Sequence, residues 1–183
     1  MMLLILGIIL CVYFYIHYIR MDRVCGITKN GVISYCKIDQ DNLKDHYVDG
    51  INMGKKWQCV EFVRRYYLQT RRLTFPSMED AYEMRRLTHM TNVDTKESVS
   101  CSFFPSGTST PRVDDIIILH LDPYGHTGIV VSVDSGNTLR IVEQNWKEWE
   151  RPHDSRELSL NDPAIIGWIR VEHSEPRSIP LTW

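Results

Sequence analysis

The sequence has no C-x-x-C pair. Its five cysteines, Cys11, Cys25, Cys36, Cys59 and Cys101, are odd in number and widely spaced. Such spacing argues against a zinc site or a disulfide framework and points to a reducing compartment. Charge of neither sign dominates: 21 lysines and arginines stand against 23 aspartates and glutamates, a net charge of −2. That balance gives no general pull toward nucleic acid or an anionic membrane surface. Internal repeats and low-complexity tracts are absent. What is plentiful is aromatic side chains, enough for a real core.

The opening stretch lacks charge altogether. "MMLLILGIILCVYFYIHYI" carries no charged side chain before Arg20. As a helix rising ~1.5 Å per residue it is long enough to cross a hydrocarbon layer of about 30 Å. It has neither a basic leader nor a small-x-small cleavage site, which disfavours a removed signal peptide. Residues 1–20 are therefore expected to be a single transmembrane anchor in the lipid bilayer, rather than a buried N-terminal helix. Tyr13, Tyr15 and Tyr18 would lie toward the headgroups. Arg20 and Arg23 against Asp22 would favour a cytoplasmic position for the downstream domain. Residues 21–30 read as a linker and 31–183 as the catalytic domain.

Within that domain "GVISYCKI" reads as a strand after a glycine turn, and "DQDNLKDHYVDGINMG" as a surface loop with a helical turn. After Cys59, the residues Phe62, Val63, Tyr66 and Tyr67 recur at helical spacing, with Arg64, Arg65, Arg71 and Arg72 toward the polar side or the end. "FPSMEDAYEMRRLTHM" reads as a second helix, with Ser77 as N-cap and Asp80 as its capping-box partner. Thr91 to Arg112 reads as a long loop. Val113 to Leu121, "TGIVVSV", "TLRIVEQN" and "AIIGWIRVE" read as strands, the middle two joined as a hairpin through "DSGN". Helices followed by a strand meander indicate an α+β domain, an antiparallel sheet with helices on one face.

Cys59 stands on the threshold of its helix. Unpaired N–H groups and the positive end of the helix dipole favour a thiolate there, and the Cys59 N–H could hold a developing oxyanion. A thiolate nucleophile needs an imidazole as proton carrier. Among seven histidines, His126 is the one at the mouth of a buried strand, rigidly held and accessible. The hairpin partner ends "IVEQN", so either Glu143 or Asn145 can neighbour His126; a one-residue slip exchanges them.

"MGKKWQCVEFVRR", "FFPSGTSTPRVDDIIIL", "GHTGIVV", "VEQNW" and "IIGWIRVE", in that order, resemble the CHAP family, the cysteine- and histidine-dependent amidohydrolases/peptidases. Within it they resemble the amidase domains of glutathionylspermidine synthetase/amidases. The likeness runs from about Gly26 to the C-terminus. It implies a papain-like fold with Cys59 as nucleophile, His126 as general base and then acid, and Glu143 orienting the imidazole. It also implies Gln58 and Asn145 as oxyanion or orienting groups and Arg64 as a contact to a substrate carboxylate. No metal and no cofactor is implied.

The resulting expectation is a membrane-tethered amidase with a Cys-His-Glu site, acting on glutathionylspermidine or a related glutathione–polyamine amide. A CHAP peptidase or peptidoglycan hydrolase is the first alternative, and a non-catalytic, membrane-anchored binding domain the second. The substrate would be a small-molecule or peptide amide.

Overall fold

The computed structural model describes residues 24–36, 44–146 and 155–172. In chain order it comprises Val24–Ile27 (β1), Ile33–Tyr35 (β2), Asp45–Val48 (β3), Ile51–Lys55 (β4), a helix Cys59–Arg71 (α1), Leu73–Thr74 (β5), a 3₁₀ turn Glu83–Arg86, His89–Asn92 (β6), Ser98–Pro105 (β7), Ile116–Leu119 (β8), His126–Val133 (β9), Thr138–Glu143 (β10), Arg156–Ser159 (β11) and Ile165–Val171 (β12). Eight of the strands form one antiparallel sheet in the order β11-β10-β9-β8-β12-β7-β6-β5. β1 pairs with β2, and β3 with β4, in two small hairpins.

The central strand explains the layering. All four residues of β8 are buried. Alternation sends Ile116 and Ile118 to one face, where they meet Phe62, Tyr66 and Tyr67 of α1, and sends Ile117 and Leu119 to the other, against Leu139, Ile141 and Trp168. A strand apolar on both faces is what a sheet covered on both sides requires. Each of the α1 side chains Phe62, Val63, Tyr66 and Tyr67 is at most 1% exposed, and burying one such residue contributes about 1.5–3 kcal/mol. Arg72 ends the helix in the left-handed conformation, φ 57°, its N–H returning to Leu68 and Tyr67 carbonyls. Its guanidinium then spans Asp49 (2.6 Å) and Asp94 (3.0 Å), tying the helix end to two loops.

Several expectations need correction. Among the described residues no helix is long and apolar enough to cross a membrane; α1 has 13 residues. The expected anchor, residues 1–20, lies outside the described residues. Among those described, the fold is an α+β sheet with a packed helix and no transmembrane helix. Membrane anchoring, a lipid-bilayer partner and the cytoplasmic placement inferred from the anchor thus have no spanning helix among the described residues to support them. Val24–Ile27, within the stretch expected as a linker, forms β1.

The expected second helix is a single 3₁₀ turn, in which the Glu83 N–H is capped by Asp80 (2.8 Å) and not by Ser77. The expected loop from Thr91 contains the eight-residue strand β7, whose Ser-rich sequence hides its pairing with β12 and β6. The loop around Asp49 is instead the β3–β4 hairpin. Asp49 and Gly50 both take positive φ, 52° and 75°, as a two-residue type I′ turn demands.

The cysteines also depart from expectation. Cys25 and Cys36 form a disulfide across β1–β2 with Cα atoms 5.1 Å apart. Inference of a reducing compartment from cysteine spacing therefore fails for this pair.

Candidate active site

Lys55 closes β4, and Trp57 turns the chain with φ 62°. Gln58 is the N-cap, extended at φ −81° and ψ 159°, and Cys59 is the first helical residue. The Gln58 side chain makes no capping bond. Its Oε1 accepts a hydrogen bond from Asn145 Nδ2 at 2.6 Å. The Cys59 thiol is half-buried at this edge. Cys101 differs in kind: it is buried, and burial, with the Glu172 charge added, pushes its thiol up to about 12. Such a group is inert filling.

His126 opens β9 and is 1% exposed. Its Nε2 lies 3.0 Å from Glu143 Oε2. A carboxylate can only accept, so Nε2 carries a proton and Nδ1 is the ring nitrogen left for another partner; the Cys59 side chain is near enough to favour the protonated ring. Burial works against the imidazolium, but the hydrogen bond and charge of Cys59, then those of Glu143, outweigh it, and the ring is pushed up to about 9. Burial likewise tends to raise Glu143, yet His126 and Arg156 hold its carboxyl below the usual range.

The partner strand resolves the choice between Glu143 and Asn145. Glu143 pairs across the ladder with Gly128, after a bulge between Arg140 and Ile141. Continued straight, that register would set residue 145 opposite His126. The chain instead leaves the strand, with Asn145 at φ 62°. Glu143 reaches diagonally to the imidazole and Asn145 turns to Gln58.

Two neighbours were not anticipated. Arg156, on β11, grips both oxygens of Glu143, Nε to Oε1 at 2.5 Å and Nη2 to Oε2 at 2.8 Å. Trp146 lies beneath that guanidinium at 3.9 Å and beside the His126 ring at 4.9 Å. The "NW" that follows Glu143 and Gln144 is the only local hint of this cover; Arg156 is brought in by β11 pairing and leaves no local signal. The Arg64 side chain is not on a solvated helix face. It is 7% exposed, sits over the Phe75 ring at 5.5 Å, and its Nε has no hydrogen-bond partner. Arg65 is buried in an ion pair with Glu61 (2.7 Å), which also meets His46 Nδ1 at 2.7 Å. Lys55 is paired with Asp45 at 2.8 Å. Among the described residues no cluster of three or more His, Cys, Asp or Glu could hold a metal ion.

A half-buried sulfur at a helix start, an imidazole against it and a carboxylate behind the imidazole can generate a thiolate and return a proton to a leaving group. Fold and site together define a cysteine hydrolase. The CHAP domain matches residues 50–145, slightly more than half the chain, and the chain belongs to that family.

Among curated proteins it is similar to the bifunctional glutathionylspermidine synthetase/amidase of Escherichia coli (strain K12), 26% identical over 172 residues that cover 80% of this chain and 28% of that protein. The trypanothione synthetase of Crithidia fasciculata is 27% identical over 157 residues, 78% of this chain and 24% of that one. The glutathionylspermidine synthase of the same organism is 32% identical over 143 residues, 66% and 19% respectively. The chain thus spans less than a third of each of these distant relatives. At such identity the expected role of membrane-tethered glutathionylspermidine amidase reduces to the coarser one, a cysteine hydrolase.

Proposed function

We propose that the chain hydrolyses a peptide-type amide bond through a thioester on Cys59, as a CHAP peptidase or peptidoglycan hydrolase would. The thiolate attacks the scissile carbonyl carbon, and the π pair moves to oxygen. The oxyanion is received by the Cys59 N–H and the Gln58 side chain, which Asn145 orients. His126 gives its proton to the departing amine. It then takes one from the water that cleaves the thioester, freeing the acid. Glu143 fixes the ring and stabilises the imidazolium. Arg64, a buried cation with an unpartnered Nε, would meet a substrate carboxylate.

The observation that carries this reading is the placement of His126 between Cys59 and Glu143, Nε2 to Oε2 3.0 Å, at a sulfur left half-open. The test is amine release by the full chain from a panel of short peptides, cross-linked muropeptides and purified peptidoglycan, repeated with Cys59→Ala. Turnover of at least one of these, abolished by the substitution, is expected. Turnover by neither form across the panel, with iodoacetamide labelling Cys59 no faster than a free thiol, would refute it.

A further inference from the structure

We infer that Gln144 is a positioning residue that orients and polarises the oxyanion-binding N–H of Cys59. The inference rests on the acyl-transfer reading of the site. Gln144 is 2% exposed, and its amide has four partners. Its Oε1 accepts from the Tyr35 backbone N–H at 2.8 Å and from Arg65 Nη2 at 3.1 Å. Its Nε2 donates to the Gln58 carbonyl at 3.1 Å and to Glu61 Oε2 at 2.7 Å. Two of these partners can only donate and two can only accept, so the amide has one orientation.

The Gln58 carbonyl belongs to the same peptide group as the Cys59 N–H, on the opposite side of a trans plane. It already accepts the first helical bond, from the Phe62 N–H at 3.1 Å. A second donor on that oxygen pulls electron density from the peptide nitrogen and makes the Cys59 N–H a stronger donor, since hydrogen bonds in a chain strengthen one another. It also prevents the plane from rocking. Gln144 adjoins Glu143, so the segment that holds the imidazole also holds the nucleophile's amide. No other side chain meets the four partners. A glutamate would set its charge against the Glu61 carboxylate and the Gln58 carbonyl, and a methionine would lose both donated bonds.

The test separates attack on a carbonyl from attack on a saturated carbon. With p-nitrophenyl acetate, the sulfur of Cys59 bonds to the carbonyl carbon and an oxyanion forms. Collapse then expels p-nitrophenolate and leaves S-acetyl-Cys59. With iodoacetamide, sulfur displaces iodide and no oxyanion forms. Both second-order rate constants are measured on the full chain, wild type and Gln144→Met, with thermal melting as a check on folding.

The expected result is a 10- to 100-fold loss of acetylation with alkylation changed less than about 2-fold, short of the 10²–10³ lost when an oxyanion donor itself is removed. If Gln144→Met does not fold, Gln144→Asn, one methylene shorter, is expected to give the same selective loss. Equal loss of both rates, or of neither, overturns the positioning role while leaving a reactive Cys59 in place. Failure of the wild type to acetylate Cys59 overturns the acyl-transfer reading, and the positioning role with it.

Discussion

Replacing Glu143 with glutamine isolates the charge behind the imidazole. The carboxylate oxygen is 3.0 Å from His126 Nε2, and both groups are almost fully buried. With about 4 Å between charge centres and an effective dielectric of about 20, the attraction is about 4 kcal/mol. An amide oxygen can still accept from Nε2–H, so part of that survives, and a loss of about 2–4 kcal/mol corresponds to roughly 30- to 1000-fold in rate. The substitution also strands Arg156, whose Nη2 now sits 2.8 Å from Glu143 Oε2, as an unpaired cation near the imidazolium. Glu143→Gln combined with Arg156→Met should therefore recover about 10-fold over Glu143→Gln alone, about 1.4 kcal/mol, and the coupling is that recovery plus whatever Arg156→Met costs by itself. The assay is kcat and KM on whichever amide the panel identifies, for both single variants and the double. The charge acts on the reacting imidazolium, so the loss belongs in kcat with KM within about 3-fold. A loss confined to KM, or a double variant no faster than Glu143→Gln, would refute the reasoning.

Amide turnover should fall as pH rises through about 9, because the leaving amine takes its proton from His126 and the ring is held protonated to that point. For the same group, a folded pKa above the ordinary 6.5 means stability present in full below 6.5 and lost between 6.5 and about 9; a kcat/KM profile whose alkaline limb lies near 6.5 contradicts this. Gly128→Ala should slow turnover and destabilise by about 1–3 kcal/mol in thermal melts, since an added Cβ would lie 2.7 Å from the Val142 carbonyl oxygen and 3.1 Å from Glu143 Cβ; wild-type kcat and Tm would show that β9 and β10 spread without cost. Cys25→Ser with Cys36→Ser should lower unfolding free energy in urea by about 3 kcal/mol, the chain-entropy value for the sequence separation of 11 that the disulfide closes. An unchanged urea midpoint would count against a contribution from the bridge.

Legibility in the sequence followed the range of the interaction. Cys59 and His126 could be singled out because each stands at the first residue of an element whose periodicity is local. Glu143 could not be separated from Asn145, because the choice turns on a bulge at Arg140/Ile141 and a left-handed residue at 145, neither of which alternation reveals. Arg156 comes from a strand after the hairpin, and its pairing with Ile141 carries no local signature. The Cys25–Cys36 bridge did have a signal: each cysteine lies five residues from the Asn30-Gly31 turn, the symmetric placement of a cross-strand pair. Asp49-Gly50 was likewise a readable hairpin turn. Arg64 and Arg65 misled for the opposite reason, since arginine reads as polar until a partner such as Glu61 or a ring such as Phe75 is supplied by the fold.

Alternation at the end of β10 does more than choose the acid. Successive side chains leave a strand on opposite sides, so Glu143 and Gln144 face different partners. Glu143 meets the imidazole and Arg156; Gln144 meets the N-cap carbonyl of Gln58 and the buried pair Glu61–Arg65. The imidazole and the N-cap peptide of the nucleophile's helix are thereby held by two adjacent residues, the last of β10 and the one that follows it, and not by two loops that could drift independently. Each acceptor in this pair of networks is answered by a cation or an amide: Glu143 by Arg156, Glu61 by Arg65 and Gln144. Buried charges of this kind are costly unless compensated in this way. Cys59, at the start of the same helix as Glu61 and Arg65, is itself left half-buried.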